Sequence, residues 1–218
     1  MLKIENVDVY GFEAAIRGAR NPLNSWRRSD SYWTHIEDSE TLETANFQYF
    51  VGDNDAKLLR TLANSGPDHG KYLRMITVTL DITAPLYFYK EFDTYKVGTV
   101  SNSCSTMHTI HKRDLTLDDF SHDNMSADAE IMLRQNIDFL NQRRRDFQES
   151  GRKIFWWDII QLLPASYNQR RTVLLNYAVL RAMYHARNAH KLDEWHVFCD
   201  WIRALPHSYL ITGGEADV

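Results

Sequence analysis

A loop rich in hydroxyl and amide side chains lies near the middle of the chain, directly after an apolar segment. Its polar residues include Ser101, Asn102, Ser103, Ser105 and Thr106. Residues of these types disfavour helix interiors, because their side chains compete for backbone hydrogen bonds. In a loop on a rigid support, the same hydroxyls, amides and free backbone N–H groups can bind a polar ligand. The residues alone leave two interpretations open, a ligand-binding loop and a plain surface loop.

Regular elements are predicted on the N-terminal side of this loop. Leu73–Thr83 alternates and is rich in β-branched residues, which is typical of a strand. Asp55–Asn64 is amphipathic and ends at Ser65-Gly66-Pro67, which predicts a short helix. Apolar residues at near-helical spacing follow Pro85, a residue suited to a first helical turn, so we expect a buried helix that leads into the loop. The order is helix, His69, strand, helix and polar loop.

The remaining segments predict further helices and strands. Ala127–Ser150 is preceded by Ser126 and followed by Gly151, both typical of helix ends. Its inward side is marked by Ile131, Leu133, Ile137, Leu140 and Phe147. Other predicted segments are a strand at 2–9, helices at Gly11–Arg20 and Ser39–Asn46, an apolar link at Phe47–Val51, a short strand or loop extension at Met107–Lys112, an apolar segment at Lys153–Leu163 that stops at Pro164, a helix through 173–187 and a final helix from Asp193 to about Ala204.

Length and composition favour a single globular domain over residues 1–218. The chain has 44% hydrophobic and 25% charged residues, which excludes wholesale disorder. Its net charge of −4 gives no reason to expect a nucleic-acid polymer as partner, although a mononucleotide needs only a local basic pocket. No apolar run approaches the ~20 residues that a membrane span needs. Two cysteines, Cys104 and Cys199, make no disulfide framework, so a reducing cytoplasmic location is the default expectation.

Two basic segments and a group of histidines each allow a functional and a purely structural interpretation. The pair Arg27-Arg28 belongs either to a solvated linker or to a phosphate contact, because guanidinium groups pair with phosphate oxygens. The run Arg143-Arg144-Arg145 is either a solvated helix face or a phosphate contact. His108, His111 and His122 do not have a recognised metal-ligand spacing, so we expect no metal site.

One register connects four motifs in the first half of the chain. It runs without a gap through His69, Ile82-Thr83-Ala84-Pro85 and Lys90-Glu91-Phe92-Asp93-Thr94-Tyr95-Lys96, and one extra loop residue then leads to Asn102-Ser103-Cys104-Ser105-Thr106-Met107-His108. This pattern resembles the flavin-dependent thymidylate synthases. In that family His-x-Ser/Thr-Pro-Phe-Glu-His opens a strand ending in Ile-x-x-Pro. A helix with Arg-Gln-Trp-x-Arg-His-Arg and a segment Asn-Glu-x-Ser-x-Arg-Tyr follow.

The last third of the chain resembles the same family. Family members carry a Leu-Pro pair, a polar connection, and a helix with an Asn that touches flavin and a later Arg that grips the nucleotide. Leu163-Pro164, Asn176 and Arg187 match these positions. The resemblance covers roughly Leu2–Ala204.

The sequence departs from the family pattern at several binding positions. The family Arg-His-Arg is Thr94-Tyr95-Lys96 here, and the Gln on its helix is Glu91. The Arg near the end of the loop is Met107, and the Arg two positions after the family Asn is Ala178. Lysine in place of arginine loses the bidentate geometry that a guanidinium offers to phosphate.

The resemblance implies an α/β (α+β) fold with a central mixed sheet and flanking helices. It implies an enzyme that uses FAD to methylate dUMP or another pyrimidine nucleotide, with methylenetetrahydrofolate as carbon donor and NADPH as reductant. It also implies a homotetramer with shared active sites. The alternative is a non-catalytic nucleotide-binding or regulatory protein on the same scaffold. The implied site residues are Ser105 and Arg187 for catalysis, Glu91, Ser103, Ser105 and Arg187 for substrate binding, and His69, Lys71, Arg74, Tyr95, Lys96, Asn102 and Asn176 for cofactor binding.

Overall fold

The computed structural model describes residues 2–36 and 46–214, without the side chains of residues 36, 46 and 47, and confirms the predicted fold class of a sheet with flanking helices. A four-stranded sheet has the strand order β1-β4-β6-β5, and β2 pairs with β3 in a separate hairpin. The strands are β1 (Lys3–Tyr10), β2 (Tyr32–Ile36), β3 (Asn46–Phe50), β4 (Thr77–Pro85), β5 (Val100–Ser103) and β6 (Asn168–Asn176). The helices are α1 (Phe12–Arg20), α2 (Asp53–Asn64), α3 (Leu86–Phe92), α4 (Thr106–Thr109), α5 (Ala127–Ser150), α6 (Lys153–Leu162), α7 (Tyr177–Arg187), α8 (Asp193–Arg203) and α9 (Tyr209–Thr212).

The strand predicted from Leu73 begins later than expected. β4 starts at Thr77, and its side chains then alternate between buried and half-buried as in a strand with one inward face. The preceding residues Gly70–Met75 instead form a short 3-10 helix, called here the 70–75 turn. Tyr72 and Leu73 are buried in this turn, so their apolar character reflects packing and does not indicate strand pairing.

The helix predicted through 173–187 is wrong in its first part. Asn168–Asn176 is strand β6, which lies between β4 and β5 in the sheet, and α7 begins only at Tyr177. Asn176 lies at the junction, where its side-chain oxygen accepts a hydrogen bond from the backbone N–H of Val179 at 3.0 Å. This N-cap bond satisfies one of the free donors of the first helical turn.

Two short segments also differ from the sequence prediction. The link predicted at Phe47–Val51 is mostly strand β3, which pairs antiparallel with β2 in the register Trp33 opposite Tyr49. Met107–Lys112 is neither a strand nor a loop extension at its start, because α4 forms there. The predicted helix Ser39–Asn46 lies outside the described residues except for Asn46, which begins β3.

Helix α5 has the predicted ends. The Ser126 hydroxyl accepts a hydrogen bond from the N–H of Ala129, and Gly151 closes the helix with φ of 66°. Leu133, Ile137 and Leu140 are buried as predicted, whereas Ile131 is 53% exposed, so its placement on the inward side is wrong.

The chain divides into two compact units. The first comprises Met1–Asn6, Leu80–Lys96 and Val100–Val173, and the second comprises Val7–Thr79, Val97–Thr99 and Leu174–Val218. In the first unit α5 packs against α6, and in the second unit α7 packs against α8, α9 and the 70–75 turn. The single domain over 1–218 stays a prediction. Within the part of the chain that the structure describes, no helix has the length and apolar content required to cross a bilayer.

Candidate functional site

A cavity of about 500 Å³ lies in the second unit, between the end of α2, the 70–75 turn and α7. Small and apolar side chains, including Ala63, Leu73 and Ala182, form part of its wall. Four basic side chains also line it, from two elements that are far apart in sequence: Lys71, Arg74, Arg181 and His185. We call it the basic cavity.

The basic cavity carries uncompensated positive charge. None of its lining residues in the described chain is an aspartate or a glutamate. Lys71 and Arg74 are exposed, and neither forms an ion pair with any described residue. In a protein of net charge −4, such a concentration of cations produces a local positive potential. Ammonium and guanidinium groups form charge-assisted hydrogen bonds with phosphate oxygens, so the arrangement suits a phosphorylated ligand.

Arg181 is fixed by neutral partners. Its guanidinium donates to the backbone oxygen of Leu210 at 2.8 Å and to the side-chain oxygen of Asn64 at 3.1 Å. These acceptors orient the group without cancelling its charge, and we find no carboxylate partner for it in the described chain. Arg181 is therefore a pre-oriented cation at the cavity wall.

Tyr72 anchors the turn that carries Lys71 and Arg74. Its hydroxyl donates to the backbone oxygen of Leu59 on α2 at 2.6 Å. Burial raises the pKa of the Tyr72 hydroxyl above its ordinary value, so the group stays protonated and keeps donating. The turn is held against α2 by this bond and by the buried side chain of Leu73.

Asn176 lies close to the segment Val97–Thr99 but is not part of the basic cavity's lining. Its side-chain nitrogen faces the backbone oxygen of Gly98 at 3.5 Å. Gly98 has φ of +82°, and a Cβ atom there would lie 2.5 Å from that nitrogen. A larger residue at position 98 would therefore displace the helix cap.

Of the predicted residues in the second unit, the structure brings Lys71 and Arg74 together in one cavity and leaves three outside its lining. His69 is exposed and immediately precedes the 70–75 turn. Arg187 ends α7, with its guanidinium carbon 5.1 Å from the centre of the Trp195 ring. The roles assigned to His69, Asn176 and Arg187 stay predictions.

The other predicted residues belong to the first unit. Glu91 and Tyr95 are half-buried near the end of α3, and Lys96 is exposed. The side chains of Asn102, Ser103 and Ser105 are exposed, on β5 and directly before α4. Among the described residues, neither serine hydroxyl has a hydrogen-bond partner, so both are accessible to a ligand.

A smaller cavity of about 250 Å³ adjoins this serine-containing segment in the first unit. Cys104 and Thr106 line it, but Ser103 and Ser105 do not. Its two arginines are paired: Arg113 with Asp119, and Arg170 with Asp81. Because these charges are neutralised, this cavity lacks the unpaired cations of the basic cavity.

The structure also locates the two basic segments that the sequence analysis singled out. Arg27 and Arg28 are exposed on a short 3-10 turn. Arg143 is ion-paired with Asp146 at 2.7 Å, and Arg144 is paired with Asp114. The fully solvated interpretation is therefore wrong for Arg143 and Arg144, whose side chains are 26% and 12% exposed.

Sequence reasoning missed Arg181 and His185. Both lie on one face of α7 with Ala178 and Ala182, at the spacing i, i+3, i+4 and i+7. Two small and two basic residues on one helix face form a pattern that can be found from the sequence alone. The predicted helix begins at 173, four residues before α7, and the resemblance to the family points to Arg187 instead.

Comparison with known proteins defines the fold class. No protein-family model matches this sequence, and no curated protein sequence matches it. Solved structures do match over nearly the whole chain, and they place the fold with that of flavin-dependent thymidylate synthase ThyX.

Three of these structures illustrate the likeness. Thymidylate synthase X from Helicobacter pylori, solved with FAD and dUMP, has a TM-score of 0.70 and 15% identity over 98% of each chain. A second ThyX structure from Helicobacter pylori, complexed with FAD and dUMP, has a TM-score of 0.69 and 16% identity over 97% of this chain and 98% of that one. The UMP/dUMP methylase PolB from Streptomyces cacaoi, bound with 5-Br UMP, has a TM-score of 0.60 and 15% identity over 96% of this chain and 92% of that one.

Proposed function

We propose that this protein is a flavin-dependent enzyme that methylates a pyrimidine nucleotide, with FAD as cofactor and dUMP or a related nucleotide as substrate. The basic cavity carries the proposal, because it supplies cations without an ion-pair partner in the described part of the chain, in a fold whose solved neighbours hold FAD and dUMP. Methylenetetrahydrofolate is the proposed carbon donor, and NADPH is the proposed reductant.

The residues of the basic cavity fit the phosphate groups of such ligands. Cationic donors beside an apolar wall come from Lys71, Arg74 and Arg181. This combination suits the phosphate groups of a nucleotide. When bound, reduced FAD supplies the hydride for the methylation. The chain's own contribution is to bind the anionic groups and to hold them in a fixed orientation.

The proposed pyrimidine contacts are separate from these cations. Glu91, Ser103, Ser105 and Arg187 are assigned to the substrate, with Ser105 and Arg187 acting in catalysis. Accessible hydroxyls support the serine assignments, and a cation near the pyrimidine carbonyl would stabilise negative charge that develops on the ring. The residues assigned to the cofactor are His69, Lys71, Arg74, Tyr95, Lys96, Asn102 and Asn176.

Visible absorption spectroscopy tests the proposal directly. We expect the purified protein to show a flavin spectrum after addition of FAD, and the spectrum to shift when dUMP is added. Oxidation of NADPH that depends on both dUMP and methylenetetrahydrofolate should follow. A protein that binds no flavin at high FAD concentration would contradict the proposal.

One observation favours the second candidate, a nucleotide-binding protein without turnover. The family Arg-His-Arg is Thr94-Tyr95-Lys96 here, and Lys96 is exposed. This replacement removes guanidinium groups from the assigned cofactor segment. Thermal-shift stabilisation by dUMP or UMP without any flavin spectrum would identify this second function.

We further propose that the protein is a cytoplasmic homotetramer with shared active sites. Large apolar side chains exposed on α5 and α6 support self-association, because their burial against a partner would remove apolar surface from water. They are Ile131, Met132, Phe139, Ile154, Trp157 and Leu162.

A further inference from the structure

A second cavity of the second unit is lined largely by aromatic side chains. It has a volume of about 420 Å³, within the range of small-molecule sites. The end of β1, the start of α1, the β2–β3 hairpin and the Pro206-His207 segment surround it. Its rings are Tyr10, Phe12, Trp33, Tyr49 and His207. We call it the aromatic cavity.

Four of these five rings form two edge-to-face pairs, one within the β2–β3 hairpin and one between α1 and the Pro206-His207 segment. Trp33 and Tyr49 lie opposite each other on the hairpin, with ring centres 5.1 Å apart and planes at 64°. Phe12 and His207 have ring centres 5.0 Å apart and planes at 71°. Trp33 is 56% exposed, so part of its ring remains available to a further flat partner.

The charged groups of this cavity neutralise each other. Glu13 and Arg17 form an ion pair at 3.3 Å on α1, and the indole N–H of Trp33 donates to Glu13 at 3.2 Å. Burial lowers the pKa of His207 below its ordinary value, which favours the neutral imidazole at neutral pH. The lining thus offers hydrogen-bonding groups without the net positive charge of the basic cavity.

The backbone around the cavity adopts conformations that favour glycine. His207 has φ of 52°, a left-handed value that is uncommon for a residue with a side chain. Gly11 has φ of +100°, and a Cβ atom there would lie 2.0 Å from the backbone oxygen of Met75. The positive φ of His207 therefore persists because the surrounding structure holds this residue in place at the cavity wall.

We propose that the aromatic cavity binds an uncharged, flat heteroaromatic ring of purine size. The ring stacks on Trp33 and meets the polar edges of Glu13 and Gln48, because aromatic walls with a few polar groups suit a ring that carries hydrogen-bonding atoms. This site is distinct from the basic cavity in lining residues and in charge, and the proposal does not depend on the proposed function.

Fluorescence titration with the free base 2-aminopurine tests this proposal. We expect saturable quenching by the full chain, since stacking on an aromatic side chain quenches this probe. Trp33→Leu should weaken binding about tenfold or more, in line with the free energy of base stacking on an aromatic side chain. The matched control is Trp26→Leu, because Trp26 is 51% exposed and does not line the cavity.

Two further variants keep the test decisive. If Trp33→Leu fails to fold, His207→Asn removes a ring while retaining a residue type that tolerates positive φ, and it should also weaken binding. Lys71→Ala should leave 2-aminopurine binding unchanged while reducing the affinity for FAD. No quenching at millimolar protein or probe, equal binding by the Trp33 and Trp26 variants, or loss of 2-aminopurine binding in Lys71→Ala would overturn the proposal.

Discussion

Single residues give the basic cavity its charge. Lys71 and Arg74 lie on the 70–75 turn, and Arg181 approaches from α7 with its charge oriented by neutral acceptors. A phosphate that enters this cavity exchanges water for cationic donors and meets no carboxylate among the lining residues in the described chain. The strength of nucleotide binding should therefore follow the number of these cations.

Removal of one cation should weaken nucleotide binding measurably. We expect Lys71→Ala and Arg74→Ala each to raise the Kd for FAD about tenfold or more, because each variant loses a charge-assisted hydrogen bond to phosphate. Isothermal titration calorimetry measures the change. Lys57→Ala is the control, since Lys57 is exposed on α2 and does not line the cavity. If Lys71→Ala and Arg74→Ala bind with the same Kd as the control Lys57→Ala, the basic cavity is not part of the proposed site.

At the scale of elements, one buried carboxylate joins three segments of the second unit. Asp55 on α2 accepts hydrogen bonds from the hydroxyls of Ser29 and Ser31, both at 2.6 Å, and from Arg20 Nε of α1 at 2.5 Å. The ion pair is buried, with Arg20 4% and Asp55 0% exposed. The segment that contains Arg27 and Arg28, which the sequence allowed as a solvated linker, is thus fixed to α1 and α2.

Loss of the Asp55 charge should destabilise this arrangement. We expect Asp55→Asn to lower the free energy of unfolding by about 3–5 kcal/mol, because the Arg20 charge stays buried without its counter-ion. Urea denaturation monitored by circular dichroism measures the loss. Asp53→Asn, an exposed position in the first turn of the same helix, provides the control. A loss of equal size in the control would show that the helix terminus, and not the ion pair, is responsible.

The same carboxylate gives the stability a pH dependence of known sign. Burial alone raises the pKa of Asp55, but hydrogen bonds from Ser29, Ser31 and Arg20 outweigh burial, and the pKa lies below its ordinary value of 3.8. Such a group stabilises the fold above its unfolded pKa, and the contribution is lost as pH falls through the lower folded pKa. The stability difference between wild type and Asp55→Asn should therefore shrink as the pH is lowered below 3.8.

At the scale of the whole molecule, the exposed apolar side chains of α5 and α6 bear on the proposed assembly. We expect light scattering after size exclusion to give about four times the chain mass of 25.6 kDa. Trp157→Glu should shift the protein to smaller species, because a charge would have to be buried at the interface. Thr61→Glu introduces the same charge at an exposed position of α2, away from α5 and α6, and is the control. A monomer in the wild type would contradict the tetramer.

The sequence by itself determined the elements whose signals are local. Ser126 and Gly151 predicted both ends of α5, because capping side chains and left-handed glycines act within one helical turn. The apolar stripe of α3 and the alternation within β4 were also readable, since each reflects one buried face. The register of motifs around His69 and Asn102 led to the correct fold class despite only 15% identity to ThyX.

Only the tertiary structure decided which residues meet. The last part of β6, residues 173–176, was predicted as the start of a helix, because its strand character comes from pairing between β4 and β5, and such distant pairing can override local preference. The β2–β3 hairpin and the rings of the aromatic cavity depend on equally distant contacts. Whether a cation is free depends on where every carboxylate lies in space. Arg113, Arg144 and Arg170 form ion pairs, whereas Lys71, Arg74 and Arg181 form none with the residues that the structure describes, and this difference is a property of the fold.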